Sequence, residues 1–174
     1  SDANDTQIKL VRYYNNVIGR PEKKKIIGRK KGYHGIASYA ASATGNEMYH
    51  KGFDLPIEGF YHVDCPHYYW NAEEGESEEE YCDRLAINLE NFIIEQDPKT
   101  VAAFIAEPIM GAGGVIVPPD MYFQKIHPVL KKYDVLFIAD EVVTGFGRTG
   151  NPFGCETFDF TPDTVTLAKS LTSA

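Results

Sequence analysis

Apolar residues recur along the chain at two spacings, which predict helices alternating with strands. Helical spacing predicts three longer helices, over residues 3–18, 78–96 and 119–133. Ser77 and Glu80 form a capping-box pattern at the start of the second helix. These helices supply the layers that can cover a sheet.

Short apolar runs predict the strands. They lie at residues 25–29, 101–106, 134–139 and 164–168, and the last three are interpreted as buried strands. Residues 36–72 are rich in loops and aromatic residues, and the pattern assigns no element to them. Because strands alternate with helices, we predict an α/β fold with a mostly parallel sheet flanked by helices.

Composition narrows the range of partners and compartments. The 174 residues suffice for one domain with a core, and the net charge of -8 argues against nucleic acid or an anionic membrane as a partner. No apolar run approaches the length of a membrane span. The three cysteines, Cys65, Cys82 and Cys155, are interpreted as reduced thiols. With no secretory signal before the first helix, we predict a cytoplasmic protein.

Three charged residues follow predicted strands, namely Glu107, Asp140 and Lys169. In parallel sheets, ligands bind beyond the carboxyl ends of the strands, so these side chains are predicted to share a site. A strand-end acid can also be structural, for example paired with Arg148, and most lysines lie on the surface. Together, however, an acid that keeps a heterocyclic nitrogen protonated and an amine that attacks a carbonyl indicate pyridoxal phosphate chemistry.

Two other patterns have a simpler interpretation. Residues 145–150 match G-x-G-x-x-G, but no strand directly precedes them, which favours a glycine-rich active-site loop over a dinucleotide fingerprint. His62, Asp64, Cys65 and His67 lie close together, but their spacing matches no standard zinc pattern. We therefore predict a polar loop there and no metal site.

Two segments could contact a flat, phosphorylated ligand. The ring of Tyr33, in the Tyr33-His34-Gly35 loop, is either a core aromatic or a surface for a planar ligand. The amides at the helix start near Ser1 and Asp2 are either a plain N-cap or a phosphate site.

Taken together, these residues resemble the class III aminotransferases, the pyridoxal phosphate enzymes of fold type I. The resemblance runs essentially from end to end. It rests on residues 1–6, 32–35, 106–114, 139–150 and 167–171, in this order. A set this long is specific, whereas any one piece is not.

The resemblance implies catalytic roles for Lys169 and Asp140. Lys169 would bind the cofactor covalently and shuttle protons, and Asp140 would keep the pyridinium nitrogen protonated. The other cofactor-binding residues implied are Ser1 and Asp2 at the phosphate, Tyr33 and Val142 on the two faces of the ring, and Glu107, hydrogen-bonded so as to support Asp140 and the ring-hydroxyl region.

The implied activity is transamination from an ω-amino acid or amine donor to a keto acid acceptor such as pyruvate. Val143 stands where ornithine- and 4-aminobutyrate-type members usually carry glutamine, which favours the ω-amino acid or amine:pyruvate subgroup. A diaminopelargonate-type aminotransferase, an aminomutase, a racemase, a decarboxylase and an inactive truncated fragment stay open as alternatives.

The resemblance also implies that residues 1–174 are the central part of a cofactor-binding large domain. An N-terminal segment and a C-terminal small domain are then expected outside this sequence. Enzymes of this class are typically homodimers with the site at the interface, so we expect the stretch alone to be inactive. Asp2 departs from the glutamate that the family usually has there.

Overall fold

A computed structural model of the chain describes residues 1–172. It contains five strands: β1 (Lys25–Arg29), β2 (Phe60–Val63), β3 (Val101–Ala106), β4 (Leu136–Asp140) and β5 (Thr164–Thr166). They form one sheet in the order β2-β1-β3-β4-β5, and every pairing is parallel. The predicted mostly parallel sheet is confirmed.

Helices flank this sheet on both faces. They are α1 (Asp2–Val17), α2 (Ser38–Ala43), α3 (Tyr68–Asn71), α4 (Glu78–Glu95), α5 (Tyr122–Lys132) and α6 (Gly154–Thr157). The predicted capping box opens α4, where the amide of Glu80 donates to the Ser77 hydroxyl and the amide of Ser77 donates to the Glu80 carboxylate. Within residues 1–172, no helix is long and apolar enough to cross a membrane.

The sheet is buried on both faces, which explains its apolar runs. All six residues of β3 are buried. Phe104 packs into a cluster with Leu89 of α4 and Phe123 of α5, whereas Ile105 packs with Ile8 of α1 on the opposite face. A strand enclosed on two faces needs apolar residues at consecutive positions, and β3 has them.

The two edge strands differ from the prediction. β2 was not predicted, because its residues mix aromatic and polar side chains and only Phe60 is fully buried. β5 was predicted as a buried strand over residues 164–168, and this is wrong, since it ends at Thr166 and Val165 is 36% exposed. An edge strand has a neighbour on one side only, so its apolar residues are less completely enclosed.

The strand order brings the predicted site residues to one edge of the sheet. Glu107 directly follows β3, Asp140 ends the neighbouring β4, and Lys169 comes three residues after β5, the next strand. In the register, Asp140 pairs with Thr166. Because the strands are parallel, their carboxyl ends share this edge.

Candidate active site

Asp140 lies at the centre of a buried polar network at the carboxyl edge of the sheet. The Asn4 side-chain amide donates to Asp140 Oδ2 at 2.8 Å and to the His34 carbonyl oxygen at 2.8 Å. His34 Nδ1 lies 2.8 Å from the same Asp140 oxygen. All three residues are buried, so these hydrogen bonds replace the water that a carboxylate would otherwise need.

The Asp140 carboxylate retains capacity for one more donor. Its Oδ1 accepts a hydrogen bond from the amide of Val142 at 3.1 Å, and its Oδ2 already has two donors. A carboxylate offers about four acceptor positions in all. The position left on Oδ1 suits a protonated ring nitrogen, which is a single strong donor.

His34 belongs to the site, although the sequence pattern predicts no role for it. Its Nδ1 must carry the proton in order to donate to the carboxylate, and its backbone amide donates to the Thr44 hydroxyl at 2.9 Å. Asn4 is likewise a site residue for which the sequence predicts only a place in a helix start. Two features of the sequence could have indicated them: His34 directly follows Tyr33, and Asn4 is a polar residue in the first turn of a helix.

Glu107 holds two loops through their backbone amides. Its Oε1 accepts from the amide of Tyr33 at 3.0 Å, and its Oε2 accepts from the amide of Gly111 at 2.9 Å. The fully buried Arg29 donates to the Glu107 carbonyl oxygen. Within residues 1–172 no hydrogen bond joins the Glu107 side chain to Asp140 directly. Glu107 instead fixes the backbone that carries Tyr33.

Ser1 and Asp2 are exposed at the start of α1, next to the Tyr33-His34-Gly35 loop. The Ser1 hydroxyl accepts from the amide of Ile36 at 2.9 Å and does not cap the helix. The contact is tight, because a Cβ on Gly35 would lie 2.5 Å from Ser1 Oγ. No side chain among residues 1–172 caps the first amides of α1, which leaves these amides available to an anion.

The remaining predicted residues line the same edge. Tyr33 and Val142 are half-buried, and the Tyr33 ring lies 5.1 Å from the Tyr49 ring. Lys169 is exposed in a short 3-10 turn (Lys169–Leu171), so the expectation that it ends a buried run is wrong. Its φ of 46° is left-handed, a conformation that costs a non-glycine residue about 1–3 kcal/mol and is concentrated at functional sites.

The glycine-rich segment at residues 145–150 forms turns between β4 and α6. It neither follows β4 directly nor opens a helix, as a dinucleotide fingerprint would. The preceding Glu141 is fully buried and accepts hydrogen bonds from the amides of Gly154 and Cys155 at 2.9 and 2.7 Å. Arg148 is exposed and forms no ion pair with Asp140 or Glu141 within residues 1–172.

The side chains of His62 and Asp64, from the group at residues 62–67, contact different partners and not a common centre. His62 Nε2 lies 3.2 Å from the Ala43 carbonyl oxygen, and Asp64 pairs with Lys30 at 2.9 Å. Burial, followed by the nearby His50, lowers the pKa of His62. In the part of the chain that the structure describes, no group of three or more His, Cys, Asp or Glu side chains is arranged to hold a metal ion.

Comparison with known proteins relates the whole chain to one family. Residues 1–174 match the family described as aminotransferase class-III. The chain is 58% identical over 173 residues to gamma aminobutyrate transaminase 3, chloroplastic, of Solanum lycopersicum, with 99% of this chain and 33% of the relative covered. It is 58% identical over 174 residues to probable gamma-aminobutyrate transaminase 3, mitochondrial, of Oryza sativa subsp. indica, with 100% and 34% covered.

Solved structures give the same relationship. The omega transaminase from Pseudomonas jessenii in complex with PMP matches with a TM-score of 0.98 and 57% identity, over 99% of this chain and 38% of that one. The chain thus spans about a third of the length of the curated relatives that it matches.

These relatives correct one expectation and leave another open. The predicted cytoplasmic location is wrong, because the similar proteins are named chloroplastic and mitochondrial. Reduced cysteines argue only against an oxidising compartment, and organelle addresses are encoded in separate targeting segments. Val143 does not decide the subgroup, since the relatives' names include both gamma-aminobutyrate and omega transaminases.

Proposed function

Because the chain belongs to the class III aminotransferases, we propose that it forms the central part of the cofactor-binding large domain of a transaminase. The enzyme would move an amino group from an ω-amino acid or amine to a keto acid such as pyruvate. The observation that carries this proposal is the buried Asp140 carboxylate, which Asn4 and His34 orient and which keeps one acceptor position.

Class III aminotransferases use pyridoxal 5'-phosphate, and a related structure contains PMP. When bound, this cofactor supplies an electron sink for negative charge at the substrate carbon. The donor set around Asp140 fits the group, because the free position on Oδ1 can accept from its ring nitrogen. A carboxylate at that nitrogen keeps it protonated, since an opposite charge favours the charged form.

The remaining residues have distinct proposed roles. Lys169 would attach the cofactor and carry protons to and from the substrate carbon, since an amine does both. Tyr33 and Val142 would contact the two faces of the ring, and Glu107 would hold the Tyr33 backbone. Ser1 and the first amides of α1, including that of Asp2, would bind the phosphate, because a helix start attracts anions.

Two further parts of the proposal concern the amino donor and the oligomeric state. Gamma-aminobutyrate, in the relatives' names, is an ω-amino acid, which supports such a donor. We also propose a homodimer. Several large apolar side chains are 70% exposed or more, as expected for a surface that another chain covers: Ile36, Met48, Phe53, Tyr69, Trp70 and Val115.

Cofactor attachment tests the proposal. The full-length protein is incubated with pyridoxal phosphate, reduced with borohydride, digested and mapped by mass spectrometry. We expect the modification at Lys169 and its loss in Lys169→Ala, with Lys131→Ala as the control for an exposed lysine. A folded protein with no adduct at Lys169 would contradict the proposal. Formation of alanine from pyruvate and gamma-aminobutyrate would then distinguish a transaminase from an aminomutase or a decarboxylase.

A further inference from the structure

We propose that Glu141 is a positioning residue that holds the carboxyl ends of β3, β4 and β5 together and so orients Asp140. The proposal rests on the function proposed above, because its readout is cofactor binding. Glu141 directly follows Asp140, but its side chain serves a different purpose, as its contacts show.

The Glu141 carboxylate is fully buried and bound by directional donors. Its Oε2 accepts from the amide of Gly154 at 2.9 Å, and its Oε1 accepts from the amide of Cys155 at 2.7 Å. The Thr144 hydroxyl also donates to Oε2. Within residues 1–172 no lysine or arginine pairs with this carboxylate. Backbone amides fix the orientation of a buried carboxylate, because each amide donates one hydrogen bond from a fixed position.

The backbone of Glu141 connects β4 to β5. Its amide donates to the Thr166 carbonyl oxygen at 3.0 Å, and Thr166 is the last residue of β5. Its carbonyl oxygen accepts from the amide of Gly145 at 2.9 Å. The strand that leads to Lys169 is therefore fixed to the residue after Asp140.

The carboxylate connects this pair of strands to β3. Gly154, which it holds, lies so close to Pro108 that a Cβ on Gly154 would be 2.7 Å from the Pro108 Cβ. Pro108 follows Glu107, at the end of β3. The hydrogen bond from Gly154 to Glu141 thus holds the start of α6 in contact with Pro108 at the carboxyl end of β3.

Asp140 depends on this arrangement. The amide of Val142 donates to Asp140 Oδ1, and Val142 is the residue after Glu141. If the Glu141 side chain lost its partners, the turn that begins there would be free to rotate. Asp140 Oδ1 would then lose its donor, and the acceptor position proposed for the ring nitrogen would move.

The test uses Glu141→Gln in the full-length protein. Glutamine keeps the shape but places an NH2 group opposite a backbone N–H, so one hydrogen bond is lost and the charge is removed. Glu156→Gln is the matched control, because Glu156 is an exposed acid on α6. Two quantities are measured: the dissociation constant of pyridoxamine 5'-phosphate by fluorescence, and the pH dependence of the absorption of bound pyridoxal phosphate.

We expect Glu141→Gln to bind the cofactor about tenfold more weakly, because a displaced Asp140 would lose most of one hydrogen bond between its carboxylate and the ring nitrogen, and a hydrogen bond to a charged group contributes on this scale. We also expect the pH midpoint of the absorption change to shift, because the ring nitrogen loses a correctly oriented carboxylate. Glu156→Gln should match the wild type in both. A variant that is less stable but has unchanged affinity and an unchanged pH profile would overturn the proposal.

A second variant guards against misfolding. Thr144→Val removes one donor to Glu141 and keeps the side-chain shape. We expect about two- to threefold weaker cofactor binding. If Glu141→Gln does not fold, unchanged binding by Thr144→Val overturns the proposal. Failure of the wild type to bind any cofactor would instead refute the proposed function, and with it this inference.

Discussion

Asn4 Nδ2 and Asp140 Oδ2 lie 2.8 Å apart, although 136 positions separate the two residues in the sequence. The contact joins the first turn of α1 to the end of β4. Because both residues are buried, the amide is one of only a few groups that can compensate the Asp140 charge. The helix start and the strand end therefore form one polar unit.

Asn4→Ala is expected to reduce both stability and cofactor affinity. Loss of a hydrogen bond to a buried carboxylate should lower the free energy of unfolding by about 1.5–3 kcal/mol. Urea denaturation and pyridoxamine phosphate binding measure the two effects. Gln7→Ala is the control on the same helix, because the one side-chain hydrogen bond that Gln7 makes within residues 1–172 is exposed and runs 3.2 Å to the Val165 carbonyl oxygen. Equal stability of both variants would show that the Asn4 contact is not formed.

Gly35→Ala should displace the Tyr33-His34-Gly35 loop from α1. The new Cβ would lie 2.5 Å from Ser1 Oγ and 2.6 Å from Ser1 Cα, at a φ of +125°. Gly52→Ala is the control, since Gly52 has a φ of +81° and, in the described part of the chain, no heavy atom lies within 4 Å of the added Cβ. Both variants carry backbone strain, of about 1–3 kcal/mol. Only Gly35→Ala should weaken cofactor binding, and equal binding by both would contradict the close packing.

Acid stability should depend on Glu76. Arg84 donates to both carboxylate oxygens of Glu76 at 2.7 Å, and these hydrogen bonds lower its pKa from 4.5 to about 2. Because the folded-state pKa is depressed, the contribution to stability is present above pH 4.5 and is lost as the pH falls toward about 2.

Thermal unfolding across that pH window tests this. Wild type should exceed Glu76→Gln in stability at neutral pH, and the difference should shrink as the pH falls from 4.5 to about 2. Glu74→Gln, at an exposed neighbouring acid, should show no such convergence. A constant difference between wild type and Glu76→Gln would argue against the ion pair.

The three cysteines should be slow to alkylate in the native protein. Burial raises the pKa of Cys82 and of Cys155 to about 11 and also raises the pKa of Cys65. Since the thiolate is the reactive form, brief iodoacetamide treatment near neutral pH should leave these thiols unmodified. Peptide mapping after the same treatment in denaturant gives the reference. Rapid native labelling of Cys82 would contradict its burial.

The sequence predicted the central strands better than the edges, for a physical reason. β3 has apolar residues at every position because helices cover both faces of the sheet there. β2 and β5 have one neighbouring strand each, so their patterns are weaker, and β2 was missed. The burial assumed around Lys169 was wrong for the same reason.

At the site, the sequence predicted the residues that follow a strand but not the residues that act through long-range side-chain contacts. Asp140 and Lys169 could be selected because each follows a predicted strand, and parallel strands share one edge. Asn4 and His34 could not, because their roles depend on contacts over 136 and 106 positions. Only the folded chain brings these partners together.

The contact between Asn4 and Asp140 also has a consequence for synthesis on the ribosome. At about 5–20 residues per second, roughly 7 to 27 s separate the two residues as they leave the ribosome. Throughout that interval α1 has been made, but the strand end that it serves has not. The apolar face of α1 can already pack on Ile26, Ala43 and Phe60, which are made earlier than β4. The Asn4 amide, in contrast, has no carboxylate partner until Asp140 has been added.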